Sequence, residues 1–156
     1  MALSLSINGE LREIQADPQT PLLYVLRGEL GLKGAKLGCG LEQCGSCAVL
    51  VDGVSTLSCA RPVAELAGRE IVTIEGLGRP GALSQVQRAF AELGAAQCGY
   101  CTPGIVVAVT ALLRETPRPS EAQVREALKG HLCRCGSHPT VLAAIDRLIG
   151  EERDGG

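Results

Sequence analysis

The sequence predicts an α+β chain, with a sheet-rich N-terminal part and an all-helical C-terminal part. Near the N-terminus Leu3, Leu5 and Ile7 alternate with polar residues, which is typical of a strand with one buried face. From Ser84 onward the apolar residues recur at helical spacing instead. A Gly/Pro-rich stretch, GLGRPG, separates the two patterns. We therefore predict a first domain over residues 1–76, a linker over 77–81 and a second domain over 82–156.

Two hairpins and one further strand make up the predicted sheet. Asn8-Gly9 is a two-residue turn signal, after which the chain returns as a second strand. Asp52-Gly53 has the same role in a second hairpin. The predicted strands that these turns join are 3–7 with 11–15 and 48–51 with 54–57, and a β-branched run over 71–74 predicts the fifth strand. A short helix is predicted over 22–29, and the glycine-rich stretch 31–45 has no period and is predicted as a loop.

Four helices are predicted in the second part. Gly94 and Gly130 follow two of them in the position of a left-handed C-terminal cap. The predicted helices run over 84–93, 103–114, 121–129 and 141–149.

Composition excludes several function classes. The 156 residues are 46% hydrophobic, which suffices for a packed core, and the formal net charge is only −2. Without a Lys/Arg block, and with few aromatic residues, we expect no nucleic-acid partner. We expect no export signal, because the N-terminal stretch MALSLSINGE has no basic segment followed by an apolar core. We expect no membrane span, because the longest apolar run is about half the length that a bilayer requires. The expected location is the cytoplasm, where thiols stay reduced. The eight cysteines are therefore interpreted as metal ligands in preference to disulfides.

Four cysteines in the first part form a quartet with a characteristic spacing. Four residues separate Cys39 from Cys44, two separate Cys44 from Cys47, and Cys59 follows twelve positions later. This is the plant-type ferredoxin spacing for a [2Fe–2S] cluster. Gly38, Gly40 and Gly45 fit that interpretation, because a Cβ in such a loop would obstruct the approach of backbone N–H groups to sulfur or forbid positive φ. Zinc is the alternative, although zinc ribbons prefer two close pairs separated by a long insert.

The second quartet is less specific by itself. Its pairs are Cys98 with Cys101 and Cys133 with Cys135, a spacing that also suits zinc or a dithiol. Each pair is followed by a proline, Pro103 or Pro139, at or near the first turn of a predicted helix. Two helix N-termini would then point their positive ends at a negatively charged thiolate site. Iron–sulfur is favoured over zinc, and both remain open on these residues alone.

Three motifs in order resemble one known family. They are GCGLEQCGSC from residue 38 together with Cys59, QCGYCTPG from residue 97, and LCRC from residue 132. With them the chain resembles the iron–sulfur subunit of the molybdenum hydroxylases, the xanthine dehydrogenase and aldehyde oxidoreductase family, over nearly its whole length. The resemblance implies a plant-type ferredoxin-like (β-grasp) domain followed by a four-helix bundle, each with one [2Fe–2S] cluster.

The resemblance also implies a function and partners. The chain would be the electron-transfer subunit of an oxidoreductase complex, with all eight cysteines as metal ligands and no catalytic residue of its own. A large partner subunit would carry a molybdenum-pterin cofactor, and Gln97 and Cys135 match family positions that lie against the pterin. The external acceptor would be a flavin subunit or a cytochrome, and this chain has no FAD-binding signature. A complex exported with its partner would work in the periplasm.

The sequence departs from the commonest family pattern at two places. Leu41-Glu42-Gln43 lies between the first two cysteines, where small and acidic residues are more usual. Gly136-Ser137-His138 follows Cys135, which is closer to the isoquinoline oxidoreductase and nicotinate dehydrogenase type. Two rival functions remain at this point: a free-standing two-cluster electron carrier and a zinc-bound interaction module.

Overall fold

A five-stranded mixed sheet forms the first part of the molecule. The computed structural model describes residues 3–154, and the side chains of 3–151, so the outermost residues of both predicted domains lie outside it. The strands are β1 (Leu3–Ile7), β2 (Glu10–Ile14), β3 (Ala48–Val51), β4 (Val54–Leu57) and β5 (Glu70–Val72), in the order β2-β1-β5-β3-β4. β1 and β5 are parallel, and the other neighbouring pairs are antiparallel. Both predicted hairpins are confirmed.

The fifth strand is shorter than the sequence pattern suggests. Residue 74 was predicted to end a strand, but Ile74 instead begins a one-turn helix, α2 (Ile74–Leu77). The reason is tertiary, because the Thr73 N–H donates to the Asn8 side-chain oxygen at 2.9 Å. Ile74 and Leu77 then pack against the apolar core of the helical part. The start of the predicted linker is therefore helical.

The predicted helix over 22–29 changes type along its length. It begins as α1 (Leu22–Tyr24) and continues as a π-helical turn over Val25–Glu29. Leu22, Leu23 and Leu26 are fully buried against the sheet. The wider turn carries Arg27, whose guanidinium donates to the carbonyl oxygens of Lys33 and Ala35, both at 2.8 Å. Arg27 thereby anchors the start of the predicted cysteine loop, which the structure confirms as a loop.

Four longer helices pack around one apolar core in the second part. They are α3 (Gln85–Leu93), α4 (Thr102–Glu115), α5 (Glu121–Leu128) and α6 (His138–Asp154). Ser84 and Ser120 begin α3 and α5 with complete capping boxes, and Gly94 ends α3 in the left-handed conformation with φ 60°. α6 begins before the predicted residue 141, because Pro139 is well suited to a first helical turn. The α+β prediction is confirmed.

The two parts share a small apolar interface. Val107 of α4 is fully buried against Ala48 and Leu50 of β3. Because β3 begins directly after Cys47, this contact joins helix α4 to the strand that leaves the cysteine loop. Over residues 3–154 no helix has the length and apolar character needed to cross a bilayer.

Candidate metal centres

The first quartet lies in the loop between the π-helical turn and β3, with its last member after β4. Cys47 and Cys59 are only 2% and 4% exposed, and they pack in the same apolar core as the sheet. Cys39 is exposed and Cys44 is partly buried. The hairpin of β3 and β4 therefore holds the inner pair, and the glycine-rich loop carries the outer pair to the surface.

Backbone N–H groups of this loop converge on the sulfurs. The Leu41 and Gln43 N–H groups donate to Cys39 Sγ at 3.3 and 3.2 Å. The Cys39 N–H donates to Cys44 Sγ at 3.4 Å. The Gln43 N–H, followed by the Leu41 N–H, lowers the pKa of Cys39 to about 7. Burial, by contrast, raises the pKa of the Cys59 thiol to about 11. The loop is built to stabilise thiolate, the form that binds metal.

The glycines have the roles that the sequence predicts. Gly40 and Gly45 adopt φ of 68° and 80°. Gly38 has no positive φ, but a Cβ on it would lie 2.6 Å from Cys44 Sγ. Glu42 is a residue that sequence reasoning missed: it adopts φ 55° without being glycine, and its N–H donates to Cys59 Sγ at 3.4 Å. This conformation is uncommon for such a residue and clusters at functional sites.

The second quartet lies at the N-terminal ends of two helices, as predicted. Cys101 is the N-cap of α4 with a proline in the first turn, and Cys133 and Cys135 precede α6. Cys98 and Cys135 are exposed, whereas Cys101 and Cys133 are partly buried. Buried Ser137 was missed by the sequence analysis, and its hydroxyl lies 3.0 Å from Cys133 Sγ.

The thiols of the second quartet differ in their acidity. The Ser137 hydroxyl, followed by its N–H, lowers the pKa of Cys133 to about 6. The Tyr100 N–H lowers the pKa of Cys98. Burial raises the pKa of Cys101, and the neighbouring Cys133 raises it further.

The thiols of each quartet lie close enough to interact with one another. In the first quartet Cys39 interacts with Cys44, and Cys59 interacts with both Cys47 and Cys39. In the second quartet Cys98 interacts with Cys135 and Cys133, and Cys101 interacts with Cys133. All eight are free thiols. A [2Fe–2S] cluster of this type is held by four thiolates, so the four interacting thiols of each quartet fit this donor set. Among the described residues, no three His, Cys, Asp or Glu side chains are grouped as the ligands of one metal ion.

Two hydrogen bonds and one close packing contact join the segments that carry the two quartets. The Leu132 N–H donates to the carbonyl oxygen of Cys44 at 3.0 Å. The Tyr100 hydroxyl donates to the carbonyl oxygen of Leu37, which lies just before the first quartet. Gly104 of α4 packs so closely that a Cβ on it would lie 2.2 Å from the Gly45 carbonyl oxygen. The loops therefore form one continuous structure across the two parts of the molecule.

The remaining predicted site residue, Gln97, lies in the loop between α3 and α4. Its side chain is exposed, and it directly precedes Cys98, whose thiol interacts with that of Cys135. Gln97 and Cys135 are both accessible from solvent.

Two histidines near the second quartet each have a buried ring nitrogen without a hydrogen-bond partner among the described residues. His131 is only 6% exposed, and its Nδ1 finds no hydrogen-bond partner within the described residues. Burial lowers the pKa of His131, and the neighbouring His138 lowers it further. His138 begins α6, and its Nε2 is likewise buried without a partner in the described part of the chain. No periodicity or motif indicates such burial.

The chain matches two protein families, one in each part. Residues 5–71 match a family described as a 2Fe-2S iron-sulfur cluster binding domain, and residues 73–146 match one described as a [2Fe-2S] binding domain. Each match contains one quartet. The prediction of two [2Fe–2S] clusters is confirmed, and the zinc alternative is set aside.

Whole-length relatives agree with these matches. The chain is 50% identical to a nicotinate dehydrogenase subunit of Pseudomonas putida, over 97% of this chain and 96% of that protein. It is 41% identical to the alpha subunit of isoquinoline 1-oxidoreductase of Brevundimonas diminuta, over 93% of this chain and 95% of that one. The structure of quinoline 2-oxidoreductase from Pseudomonas putida 86 superposes with a TM-score of 0.90 at 38% identity, covering 100% of this chain and 97% of the other.

Proposed function

This chain belongs to the small iron–sulfur subunits of the molybdenum hydroxylases, and from that premise we propose that its eight cysteines are the ligands of the two clusters. Cys39, Cys44, Cys47 and Cys59 would hold one cluster, and Cys98, Cys101, Cys133 and Cys135 the other. When bound, a [2Fe–2S] cluster accepts and releases one electron at a time. The subunit relays electrons from the molybdenum cofactor of a large partner subunit to an external acceptor. Substrate is converted on the partner.

The contact between Cys44 and Leu132 is the observation that best supports the relay. Leu132 directly precedes Cys133, so the 3.0 Å hydrogen bond connects a ligand of one quartet to the neighbour of a ligand of the other. A chain of covalent bonds with one hydrogen bond thus runs between the two sites.

We propose a direction for the relay from the exposure of the two quartets. Gln97, Cys98 and Cys135 are exposed together, and they would face the molybdenum-pterin cofactor of the partner. The first quartet would face the acceptor, since Cys39 is exposed and the neighbouring Leu41 is 69% exposed. A flavin subunit or a cytochrome would dock there. We propose the cytoplasm as the location, or the periplasm for a complex exported with its partner.

Disabling each quartet separately tests the assignment and the direction. Iron and acid-labile sulfide are measured on the purified complex, and rapid-freeze EPR follows the two clusters after substrate is mixed in. In the Cys47→Ser complex, the EPR signal of the second quartet's cluster should still form rapidly. Turnover with the external acceptor should be lost. Replacing Cys101 by Ser should prevent reduction of either cluster.

Two results would count against the proposal. One is zinc in place of iron at the second quartet, with sulfide for a single cluster. The other is rapid reduction of the first quartet's cluster in the Cys101→Ser complex, which would reverse the proposed direction. Ser55→Ala is the matched control, because Ser55 lies on β4 and belongs to neither quartet. This variant should give wild-type EPR signals.

A further inference from the structure

His131 lies at the place where the two cysteine loops meet. It follows α5 and precedes Leu132, whose N–H makes the hydrogen bond to Cys44. Its side chain is almost wholly removed from solvent, because it is only 6% exposed. A histidine so deeply buried between two metal loops needs a physical role, because burial of a polar ring carries a cost.

The imidazole ring packs directly on the other loop. A Cβ on Gly45 would lie 2.4 Å from His131 Nδ1 and 2.8 Å from its Cγ. Gly45 is the residue after Cys44, and the ring, together with the Gly130 carbonyl oxygen at 2.5 Å, fills the space in which any other residue at position 45 would place its Cβ. The ring of one loop and the bare backbone of the other are complementary in shape.

At Nδ1 the ring is held by packing and not by a hydrogen bond. Its Nδ1 has no hydrogen-bond partner in the described part of the chain. Removing the ring therefore removes volume and contacts without breaking a hydrogen bond at Nδ1. A void at this point would border Gly45, which follows the carbonyl group of Cys44 that Leu132 contacts.

We propose that His131 is a positioning residue whose imidazole sets the spacing between the two cysteine loops. By filling the space over Gly45, it holds the Leu132–Cys44 hydrogen bond at its length and fixes the distance between the two sites. This inference rests on the proposed electron relay, and it adds a residue that acts through the backbone of both loops without being a ligand. The electronic interaction between the two clusters should then depend on the volume of the side chain at position 131.

The test compares three variants of His131 in the complex with the molybdenum subunit. His131→Ala removes the ring, His131→Asn keeps polarity in a smaller side chain, and His131→Phe keeps a flat ring without the nitrogens. Lys129→Ala is the matched control, because Lys129 lies on the same segment and its side chain is 77% exposed. Each complex is reduced with dithionite, and low-temperature EPR records the splitting that arises from the interaction of the two reduced clusters.

The proposal expects a graded loss of this splitting. The Phe variant and the Lys129→Ala control should keep the wild-type splitting, the Asn variant should lose part of it and the Ala variant most of it. The rate at which electrons equilibrate between the clusters should fall in the same order. If the Ala variant fails to assemble, the Asn and Phe variants decide the comparison.

Two outcomes overturn the proposal. If Asn keeps the splitting and Phe loses it, the ring acts through its nitrogen and not through its volume. If every variant behaves like wild type, His131 does not set the spacing. The iron and sulfide content of the wild-type complex tests the proposed function separately. If that complex does not contain four irons and four sulfides, the electron relay itself is contradicted, whatever the His131 variants do.

Discussion

Replacement of Gly104 by Ala tests the close packing between the helical part and the first cysteine loop. Gly104 lies in the first turn of α4. A Cβ there would lie 2.2 Å from the Gly45 carbonyl oxygen and 3.3 Å from the Ser46 Cα. Both are backbone atoms, so no flexible side chain can move aside, and either the loop or the helix must shift.

Two effects of this substitution oppose each other, and their magnitudes decide the sign. Alanine is favoured over glycine inside a helix by about 1 kcal/mol. Overpacking lowers the free energy of unfolding by about 1–3 kcal/mol. We expect a value near the upper end of that range, because the atoms that the new Cβ meets belong to the backbone. We expect a net destabilisation of about 2 kcal/mol. For a chain of this size that corresponds to a melting temperature lower by roughly 4–8 °C.

A second glycine in a helix provides the matched control. Gly150 lies in α6, and a Cβ built on it meets no heavy atom within 4 Å. Gly150→Ala should therefore show only the higher helix propensity of alanine, which raises the free energy of unfolding by about 1 kcal/mol. The melting temperature should rise by roughly 2–4 °C.

The assay is far-UV circular dichroism of the cluster-loaded protein during anaerobic heating, at one scan rate for all variants. Gly104→Ala should also lose the visible absorbance of its clusters at a lower temperature, because the displaced atoms adjoin Cys44. A Gly104→Ala protein that melts at or above the wild-type temperature, beside a stabilised Gly150→Ala control, would falsify the reasoning.

Three further predictions concern the rest of the chain. Replacing buried Thr73 by Val removes the hydroxyl that accepts from the Asn8 amide at 3.0 Å, and chemical denaturation should show a loss of about 1–3 kcal/mol. Ser120→Ala removes a capping box from α5 and should cost about 1 kcal/mol in the same measurement, with Ser120→Asp, another good cap, close to wild type. The Arg69 guanidinium and the Glu70 N–H hold the pKa of Asp52 below its ordinary value. Because the folded-state pKa is depressed, this contribution to stability is present above the unfolded-state pKa and is lost as the pH falls through the folded-state pKa. Wild type should therefore exceed Asp52→Asn in stability at neutral pH and match it in strong acid, whereas a difference that persists in acid would contradict this account.

Local chemistry explains why much of the fold could be predicted. The turns at Asn8-Gly9 and Asp52-Gly53 adopt positive φ at both positions, as two-residue hairpins require. The strands on either side of them were predicted nearly to the residue. The helices were predicted in place because caps and apolar spacing are local signals, and Ser84 and Gly94 bound α3 as expected. The prediction of Gly130 as a left-handed cap was wrong, because the C-cap of α5 is Lys129 with φ −55° and Gly130 has no positive φ. The strand predicted to reach Ile74 failed because its end depends on Asn8, far away in sequence.

Local sequence patterns account for the candidate ligands and the fold class of this chain. Spacing along the chain specifies which thiols share a loop, and glycines at Gly38, Gly40 and Gly45 specify where backbone must approach sulfur. These properties belong to short segments, whose conformational preferences act within a few residues. The eight candidate ligands and the α+β architecture could therefore be predicted from the order of the residues alone.

The tertiary structure decided how the two sites are related. The hydrogen bond from Leu132 to Cys44 joins segments far apart in the chain, and the His131 ring is buried against Gly45 at the same junction. Neither has a periodic or compositional signal. Long-range contacts depend on how whole surfaces fit together. The two loops approach closely because α4 packs on β3 through Val107. At Gly104 this packing leaves no space for a Cβ.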